Sequence, residues 1–403
     1  MQIDRQQFME EGYLILRNVV PPGLLDPLRA AVEHMVEGRR QLSTQLRLPN
    51  QPPGGTWAAA GQPRLNFAND CDTESALAVE FLLGETTLGV CRQLIDTEHV
   101  ALHYMACICS ADELESGPAT WHRDIGPGDP APLNGMIANM QHHGPSYLQW
   151  NIALYADDVF WIVPRSHHRV NSEAENHQLS QDGRVPLADG MAVELGAGDA
   201  VVYTHMLLHW GSHYSTKMRR TMHPGYRPIH FGKAMPNVHW RHWQPGFYHH
   251  LSPTARQQFE TWDQLYLEEF DRFAALFHAI VEGDADAFST HFATLHSSPH
   301  APLVSLVMLT KMADKLYRLK HGDEAADKLW GIGRDLDYLG SLFTDEQVAT
   351  LWQRFGPLDQ KLKLPEAVDH PAFQRGHSEY AADDMPTDFT IEDFIASWNG
   401  DTV

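Results

Sequence analysis

Short apolar runs separated by turn residues fill the middle of this chain, and they constrain its fold more than any other feature. Gly and Pro residues punctuate this region, a texture typical of all-β sandwiches and barrels. The runs lie at residues 99–109, 147–155, 159–163, 191–194, 199–204 and 226–231. We therefore predict a β-barrel core, and we expect the long insertions at 126–145 and 169–188 to be loops at its mouth.

Helical patterns flank this region on the N-terminal side. Residues 4–36 read as helix, strand and helix, and residues 74–97 also have helical spacing. Residues 40–70 carry several Pro and Gly residues and favour a loop.

The C-terminal side is predicted to be helical as well. Apolar residues recur on one face of a long helix between residues 262 and 280. Residues 365–388 favour a loop, and further helices are predicted at 284–296, 302–320, 322–339, 344–355 and 390–398. The chain is thus predicted to be an α+β protein, with a barrel domain over residues 1–250 and a helical extension over residues 251–403.

Composition excludes several classes of protein. Acidic residues outnumber basic ones by 52 to 30, so the formal charge is −22, which argues against a nucleic-acid or anionic-membrane binder. No apolar run approaches the ~18 residues that a membrane span requires. The first residues lack a basic and then apolar leader, so we expect a cytoplasmic protein, and the four cysteines are too few for a disulfide scaffold.

The chain contains 25 histidines, and the spacing of a few of them points to a metal site. On an extended segment, His122 and Asp124 would point the same way, because side chains alternate with a period of two. His209, on a later predicted strand, would complete a set of two histidines and one carboxylate. This set suits non-haem Fe(II), because it leaves three coordination positions open. His205, four residues earlier, is the alternative to His209.

An arginine follows His209 at a spacing that suits a dicarboxylate cosubstrate. Arg220 lies eleven residues beyond His209, and its planar guanidinium can bind a carboxylate bidentately. The neighbouring Arg219 would point the opposite way on a strand, and we prefer Arg220. By the same alternation, Arg123 should face away from the metal.

One ordered set of residues combines these signals: His122-x-Asp124, His209-x-Gly211, Ser215 and Arg220. The set resembles the motif of the phytanoyl-CoA dioxygenase family of Fe(II)/2-oxoglutarate oxygenases. The segment FMEEGYLILRNVVP at 8–21 is similar to the family's F-x-x-x-G-Y opening, and WIVPRSH at 161–167 resembles its V-P-G-S-H strand end. The resemblance covers about residues 5–232.

The resemblance implies a double-stranded β-helix of the jelly-roll or cupin type, with iron at one open end. It implies that His122, Asp124 and His209 are the metal ligands and the catalytic residues. It also implies that Arg220 binds the C5 carboxylate of 2-oxoglutarate.

Other positions follow from the same resemblance. Met105 and Tyr147 fall where family members line the cosubstrate pocket. Related halogenases carry a small residue in place of Asp124, so the carboxylate favours hydroxylation. Three features depart from the family pattern: Arg165 replaces a glycine, His213 stands where an asparagine is expected, and the segment 155–159 lacks the usual Asn-Gly turn.

The sequence therefore predicts an Fe(II)- and 2-oxoglutarate-dependent dioxygenase. It would use O2 to hydroxylate an unactivated C–H bond of a small molecule, releasing succinate and CO2. Desaturation, cyclisation or demethylation remains an alternative outcome, and a non-catalytic binding or scaffold protein on the same fold remains an alternative function. A homodimer through the helical C-terminal region is also left open.

Overall fold

The computed structural model describes residues 3–112, 114–124, 133–229, 246–294, 301–322, 338–362 and 389–399. Its strands are β1 Tyr13–Leu16, β2 Arg64–Asn66, β3 Val100–Cys109, β4 Gly117–Pro118, β5 Leu148–Ala153, β6 Asp157–Ile162, β7 Met191–Leu195, β8 Ala200–Thr204, β9 His209–His213 and β10 Arg220–Pro228.

The helices of the N-terminal two thirds are α1 Arg5–Glu11, α2 Pro22–Gln45, α3 Gly55–Ala58, α4 Phe67–Asp70, α5 Ala76–Leu82, α6 Leu88–Ile95, α7 Leu133–His143 and α8 Glu173–Gln181. The later helices are α9 Pro253–Glu282, α10 Ala285–Ala293, α11 Ala301–Lys320, α12 Asp345–Leu362 and α13 Ile391–Ala396.

Two sheets form the core of the barrel. One has six strands in the order β1-β8-β5-β10-β3-β2, and the other has four in the order β4-β9-β6-β7. Their side chains share one apolar cluster, in which Ala153 and Val201 of the larger sheet meet Phe160 and Val193 of the smaller. Because side chains alternate along a strand, every second residue on each strand, counted from these cluster residues, faces the other sheet. The predicted α+β class and the double-stranded β-helix are confirmed.

The N-terminal helices cover the outer face of the six-stranded sheet. The phenol of Tyr226 on β10 donates to the carbonyl of Leu82 in α5 (2.7 Å). The indole of Trp150 on β5 donates to the sulfur of Cys91 in α6 (3.2 Å). All four cysteines are buried free thiols.

Three segments predicted to be loops contain helices. The 169–188 segment contains α8, whose first turn is closed by a capping box between Ser172 and Glu175. The 126–145 segment contains α7, and the 40–70 segment contains the end of α2, the short helices α3 and α4, and the strand β2. Short elements in Pro- and Gly-rich sequence give too few periodic positions to be recognised.

The chain divides into two compact units. Within the described residues, the first holds α1 to α6, α8 and the strands, with β10 included up to Arg227. The second holds α7, α10 to α13 and α9 from Thr261 on. In the second unit α7 packs on α11, and α11 packs on α12. The predicted helix at 322–339 and loop at 365–388 lie mostly or wholly outside the described residues, and the division at residue 250 stays a prediction.

The long helix expected between residues 262 and 280 is confirmed within α9. The helix predicted at 344–355 is also present, and Thr344 and Gln347 exchange the two hydrogen bonds of a capping box. In the part of the chain that the structure describes, no helix has the length and apolar character needed to cross a bilayer.

Candidate active site

Three side chains converge where β9 begins. The ligand atoms of His122, Asp124 and His209 all lie within 4.8 Å of one another. Nε2 of His122 lies 3.3 Å from one carboxylate oxygen of Asp124, and Nε2 of His209 lies 3.2 Å from the other. His122 and His209 also exchange two backbone hydrogen bonds of 2.9 Å, which fix the two segments side by side.

Each histidine is held in one tautomer by its own backbone. Nδ1 of His122 lies 2.7 Å from the carbonyl of Thr120, and Nδ1 of His209 lies 2.7 Å from the carbonyl of Leu207. A carbonyl only accepts, so each Nδ1 carries a proton, and in the neutral form of each ring Nε2 presents a lone pair. This is the arrangement that metal-binding histidines require.

The carboxylate of Asp124 is ionised and positioned by a further residue. Burial alone would raise its pKa, but the positive charge of the protonated forms of His209 and His122, and the hydrogen bonds that those forms donate, outweigh burial and hold the pKa well below its usual range. For His122, burial is outweighed by the bond to Asp124, and its pKa is raised. Nε2 of Gln149, on β5, donates to Oδ2 of Asp124 (2.8 Å).

Residues on the opposite side of the two segments lock them in place. The rings of Trp121 and Trp210 stack with centroids 4.6 Å apart. Arg123 points away from the three ligand atoms, as alternation predicts, and donates to the carbonyls of Ser166 (2.7 Å) and Met206. It also donates to the side chain of Asn171 (2.9 Å), so a single buried arginine ties the His-x-Asp segment to two loops.

The two arginines before and at the start of β10 face opposite sides of the sheet. Arg220 forms an ion pair with Glu33 of α2 (2.8 Å), on the outer face. Arg219 and Thr221 both donate to Oδ2 of Asp157, which belongs to the other sheet, so they face the barrel interior. The preference for Arg220 over Arg219 is therefore not supported by this placement, because a shift of one residue along a strand reverses the face.

The guanidinium of Arg219 can donate one more hydrogen bond. Its Nε donates to Asp157 (2.8 Å) and to the hydroxyl of Thr221 (3.2 Å). Its Nη1 is buried without a hydrogen-bond partner among the described residues. Leaving such a donor unmet is costly, so this nitrogen suits a carboxylate ligand.

Tyr147 and Met105, the other two residues predicted to line the cosubstrate pocket, have different surroundings from each other. Tyr147 lies over Gly225 of β10, where a Cβ would come within 2.0 Å of the Tyr147 hydroxyl, so only glycine fits beneath the ring. Met105 is buried on β3, but its neighbour Tyr104 is the residue that meets His223 of the inner face (6.1 Å between ring centroids).

His205 and Arg165 are both engaged away from the three ligand atoms. His205, the alternative ligand, stands outside the three-residue group, and its carbonyl accepts from the backbone N–H of Asp124 (2.9 Å). Arg165 has φ 65°, the conformation in which the family pattern has glycine, and its guanidinium pairs with Glu10 and Glu11 of α1. It is thereby engaged outside the site.

The donor set fits the metal and cosubstrate that the sequence indicated. Two neutral imidazoles and one carboxylate on a single centre form the ligand set of non-haem Fe(II) oxygenases. Residues 8–222 match the family model described as phytanoyl-CoA dioxygenase. The chain belongs to the phytanoyl-CoA dioxygenase family. The predicted enzyme class, an Fe(II)/2-oxoglutarate-dependent oxygenase, and its cofactors are confirmed at the level of this family.

Three of the solved structures that are similar to this chain come from different organisms. AviO1 from Streptomyces viridochromogenes Tue57 is 20% identical, with 59% of this chain and 99% of that chain covered and a TM-score of 0.40. HygX from Streptomyces hygroscopicus with nickel and 2-oxoglutarate bound is 17% identical (57% and 89% covered, TM-score 0.41). EctD from S. alaskensis with 2-oxoglutarate and 5-hydroxyectoine is 14% identical (57% and 77%, 0.41). No curated protein matches the chain.

Proposed function

We propose that this family member hydroxylates a C–H bond of a small-molecule substrate. The observation that carries the proposal is the convergence of His122, Asp124 and His209, with both Nε2 atoms close to the Asp124 carboxylate. Fe(II) held there would supply the oxidising chemistry: O2 and 2-oxoglutarate are consumed, one oxygen atom enters the substrate as a hydroxyl, and succinate and CO2 are released.

The protein's own residues have separate tasks in this proposal. His122, Asp124 and His209 bind the metal, and Gln149 orients the carboxylate. Arg219 binds the distal carboxylate of 2-oxoglutarate through its unpartnered Nη1, while Asp157 holds the guanidinium in place.

The metal assignment is tested with Asp124→Ala and His209→Ala. Each variant should lose succinate formation in the presence of Fe(II) and 2-oxoglutarate, because each removes one of three ligands. Undiminished turnover by either variant would contradict the assignment.

The cosubstrate assignment is tested with a matched pair, Arg219→Lys and Arg220→Lys. Lysine keeps the charge but loses the planar fork, so the affinity for 2-oxoglutarate should fall in Arg219→Lys by about 2 kcal/mol, roughly 30-fold. Arg220→Lys should bind 2-oxoglutarate as the wild type does, since it lies on the outer face. Anaerobic titration of the visible band of the Fe(II)–2-oxoglutarate chelate measures both. The opposite ranking would restore the assignment to Arg220.

A further inference from the structure

A second arginine faces the barrel interior from the edge of the six-stranded sheet. Arg64 on β2 pairs in register with Ile108 on β3, so the two side chains share a face. Tyr104 lies on that face of β3 as well, four residues from Ile108, and it contacts His223 of the inner face. Arg64 therefore projects to the side on which the metal ligands lie.

Arg64 has no carboxylate partner in the described ranges. Its Nε (3.0 Å) and its Nη2 both donate to Oε1 of Gln62, a neutral group. The side chain is exposed. An exposed guanidinium held by a single amide keeps its charge and its remaining donors available for a ligand.

Gln62 links this arginine to His213 and fixes the tautomer of the ring. Arginine can only donate, so the atom of Gln62 that faces Arg64 must be the oxygen. The amide nitrogen then donates to Nδ1 of His213 (3.1 Å). The proton of the neutral ring is consequently on Nε2, which has no hydrogen-bond partner among the described residues.

The charge around this cluster is positive. Burial, together with the charges of Arg219 and Arg64, lowers the pKa of His213 to about 4, so the ring is neutral at pH 7. Burial and the charge of Arg64 lower the pKa of His223 to about 4 in the same way. The carboxylate of Asp157, which acts on His213, is already paired with Arg219. Arg64 and the Nε2–H of His213 thus offer a cation and a donor.

We propose that Arg64 and His213 recognise an oxyanion, a carboxylate or a phosphate, carried by the substrate. The inference rests on the proposed function, because it assigns the specificity of the same site. The distal carboxylate of 2-oxoglutarate is accounted for by Arg219, so the second cation is left for the substrate. Gln62 acts as a positioning residue that orients both donors.

The test uses small probes that differ in charge and share a ring. Full-length protein is loaded with Mn(II) and saturated with N-oxalylglycine, which occupies the cosubstrate position, and then titrated with benzoate, phenylphosphonate or benzamide. Paramagnetic broadening of the probe's proton resonances reports binding near the metal, and ligand-observed saturation transfer on metal-free protein reports binding without it. The anions should bind at least tenfold more tightly than benzamide, and the tighter anion identifies carboxylate or phosphate as the group recognised.

The variants are Arg64→Gln and His213→Asn, with Arg184→Gln as a control at an exposed arginine. Arg64→Gln should weaken anion binding at least tenfold and leave benzamide and N-oxalylglycine binding unchanged, and the control should match the wild type. His213→Asn keeps a side-chain donor and should weaken anion binding less than Arg64→Gln does.

Three results would overturn the inference: equal binding of benzoate and benzamide by the wild type, anion binding that survives Arg64→Gln, or loss of N-oxalylglycine affinity in that variant. The last result would reassign Arg64 to the cosubstrate. Failure of the wild type to bind Mn(II) would instead contradict the proposed function, and the metal-free measurement would still decide the role of Arg64.

Discussion

Gln149 connects the metal-binding carboxylate to the larger sheet. It donates to the oxygen of Asp124 that also lies 3.2 Å from Nε2 of His209. Partners that orient a metal ligand in this way typically contribute 10- to 100-fold to metal affinity. An amide on β5 thus holds a carboxylate that lies outside the strands, in the segment that pairs with the start of β9.

We expect Gln149→Leu to lower the affinity for Mn(II) or Fe(II) by about 10- to 100-fold, because Asp124 loses the bond that orients it. Competitive metal titration with a fluorescent chelator measures the change. Gln41→Leu, at an exposed position on α2, is the matched control. Equal metal affinity in the two variants would show that Gln149 does not position the ligand.

His167 should make stability depend on pH. Burial, followed by the nearby ring of His168, lowers the pKa of His167 to about 4, whereas an unfolded histidine titrates near 6.5. Between these values the unfolded chain binds a proton that the folded chain excludes. This contribution to the free energy of unfolding is therefore intact above pH 6.5 and falls by about 1.4 kcal/mol per pH unit as the pH drops toward 4.

Urea unfolding at pH 7.5, 6.5 and 5.5 measures this slope. In His167→Gln the slope should be shallower than in the wild type by about one proton. His177→Gln, which alters an exposed histidine on α8, should retain the wild-type slope. An unchanged slope in His167→Gln would mean that the ring is already protonated in the folded protein.

At the scale of elements, the junction between α1 and β1 depends on one glycine. Gly12 ends α1 with φ 85°, and a Cβ there would come within 2.5 Å of Nδ1 of His167 and 2.9 Å of Leu207. Both the left-handed conformation and the lack of space exclude a side chain. The family-like opening F-x-x-x-G-Y therefore has a steric basis in this chain.

We expect Gly12→Ala to lower the free energy of unfolding by about 1–3 kcal/mol, from backbone strain and the clash with His167. Gly38→Ala is the matched control, because Gly38 lies within α2 and a methyl group there would have no neighbouring atom within 4 Å. Alanine is the better helix former, so this control should raise the free energy by about 0.5–1 kcal/mol. The midpoints of urea unfolding distinguish the two, and stabilisation by both substitutions would contradict the steric argument.

Strand alternation explains what the sequence could and could not predict about the site. Two motifs predict the convergence of His122, Asp124 and His209, since an ordered ligand set tolerates small errors in strand boundaries. The choice between Arg219 and Arg220 does not tolerate them, because one residue decides the face. Strand pairing across long sequence distances places Arg64 and Gln149 on the inner face, and the sequence carries no local signal for such pairing. Helix α8, by contrast, had a readable capping box at Ser172 and Glu175.

At the scale of the whole chain, residues far apart in sequence share the helical unit. Helix α7 packs on α11, although about 160 residues separate them, and both pack within the second unit. Leu316 of α11 is fully buried there. The apolar side of α7, which includes Met136 and Ile137, is buried too.

We expect Leu316→Ala to lower the free energy of unfolding by about 2–5 kcal/mol, through the cavity that it leaves. Hydrogen exchange should accelerate in α11 and α12 and also in α7, since α7 relies on α11 for its burial. Leu342→Ala, at a leucine that is 38% exposed, is the control. If α7 kept its protection in Leu316→Ala, its stability would not depend on α11.

The backbone bonds that fix both imidazole tautomers have a practical consequence for handling the protein. The ligand atoms already converge on one centre, so a divalent ion can bind with little rearrangement of the protein. Which first-row ion binds then depends on its intrinsic affinity for the ligands, which rises from iron to nickel and copper. Protein purified on a nickel resin should therefore contain nickel in place of iron. Stripping with a chelator and anaerobic reconstitution with ferrous salt should precede any assay.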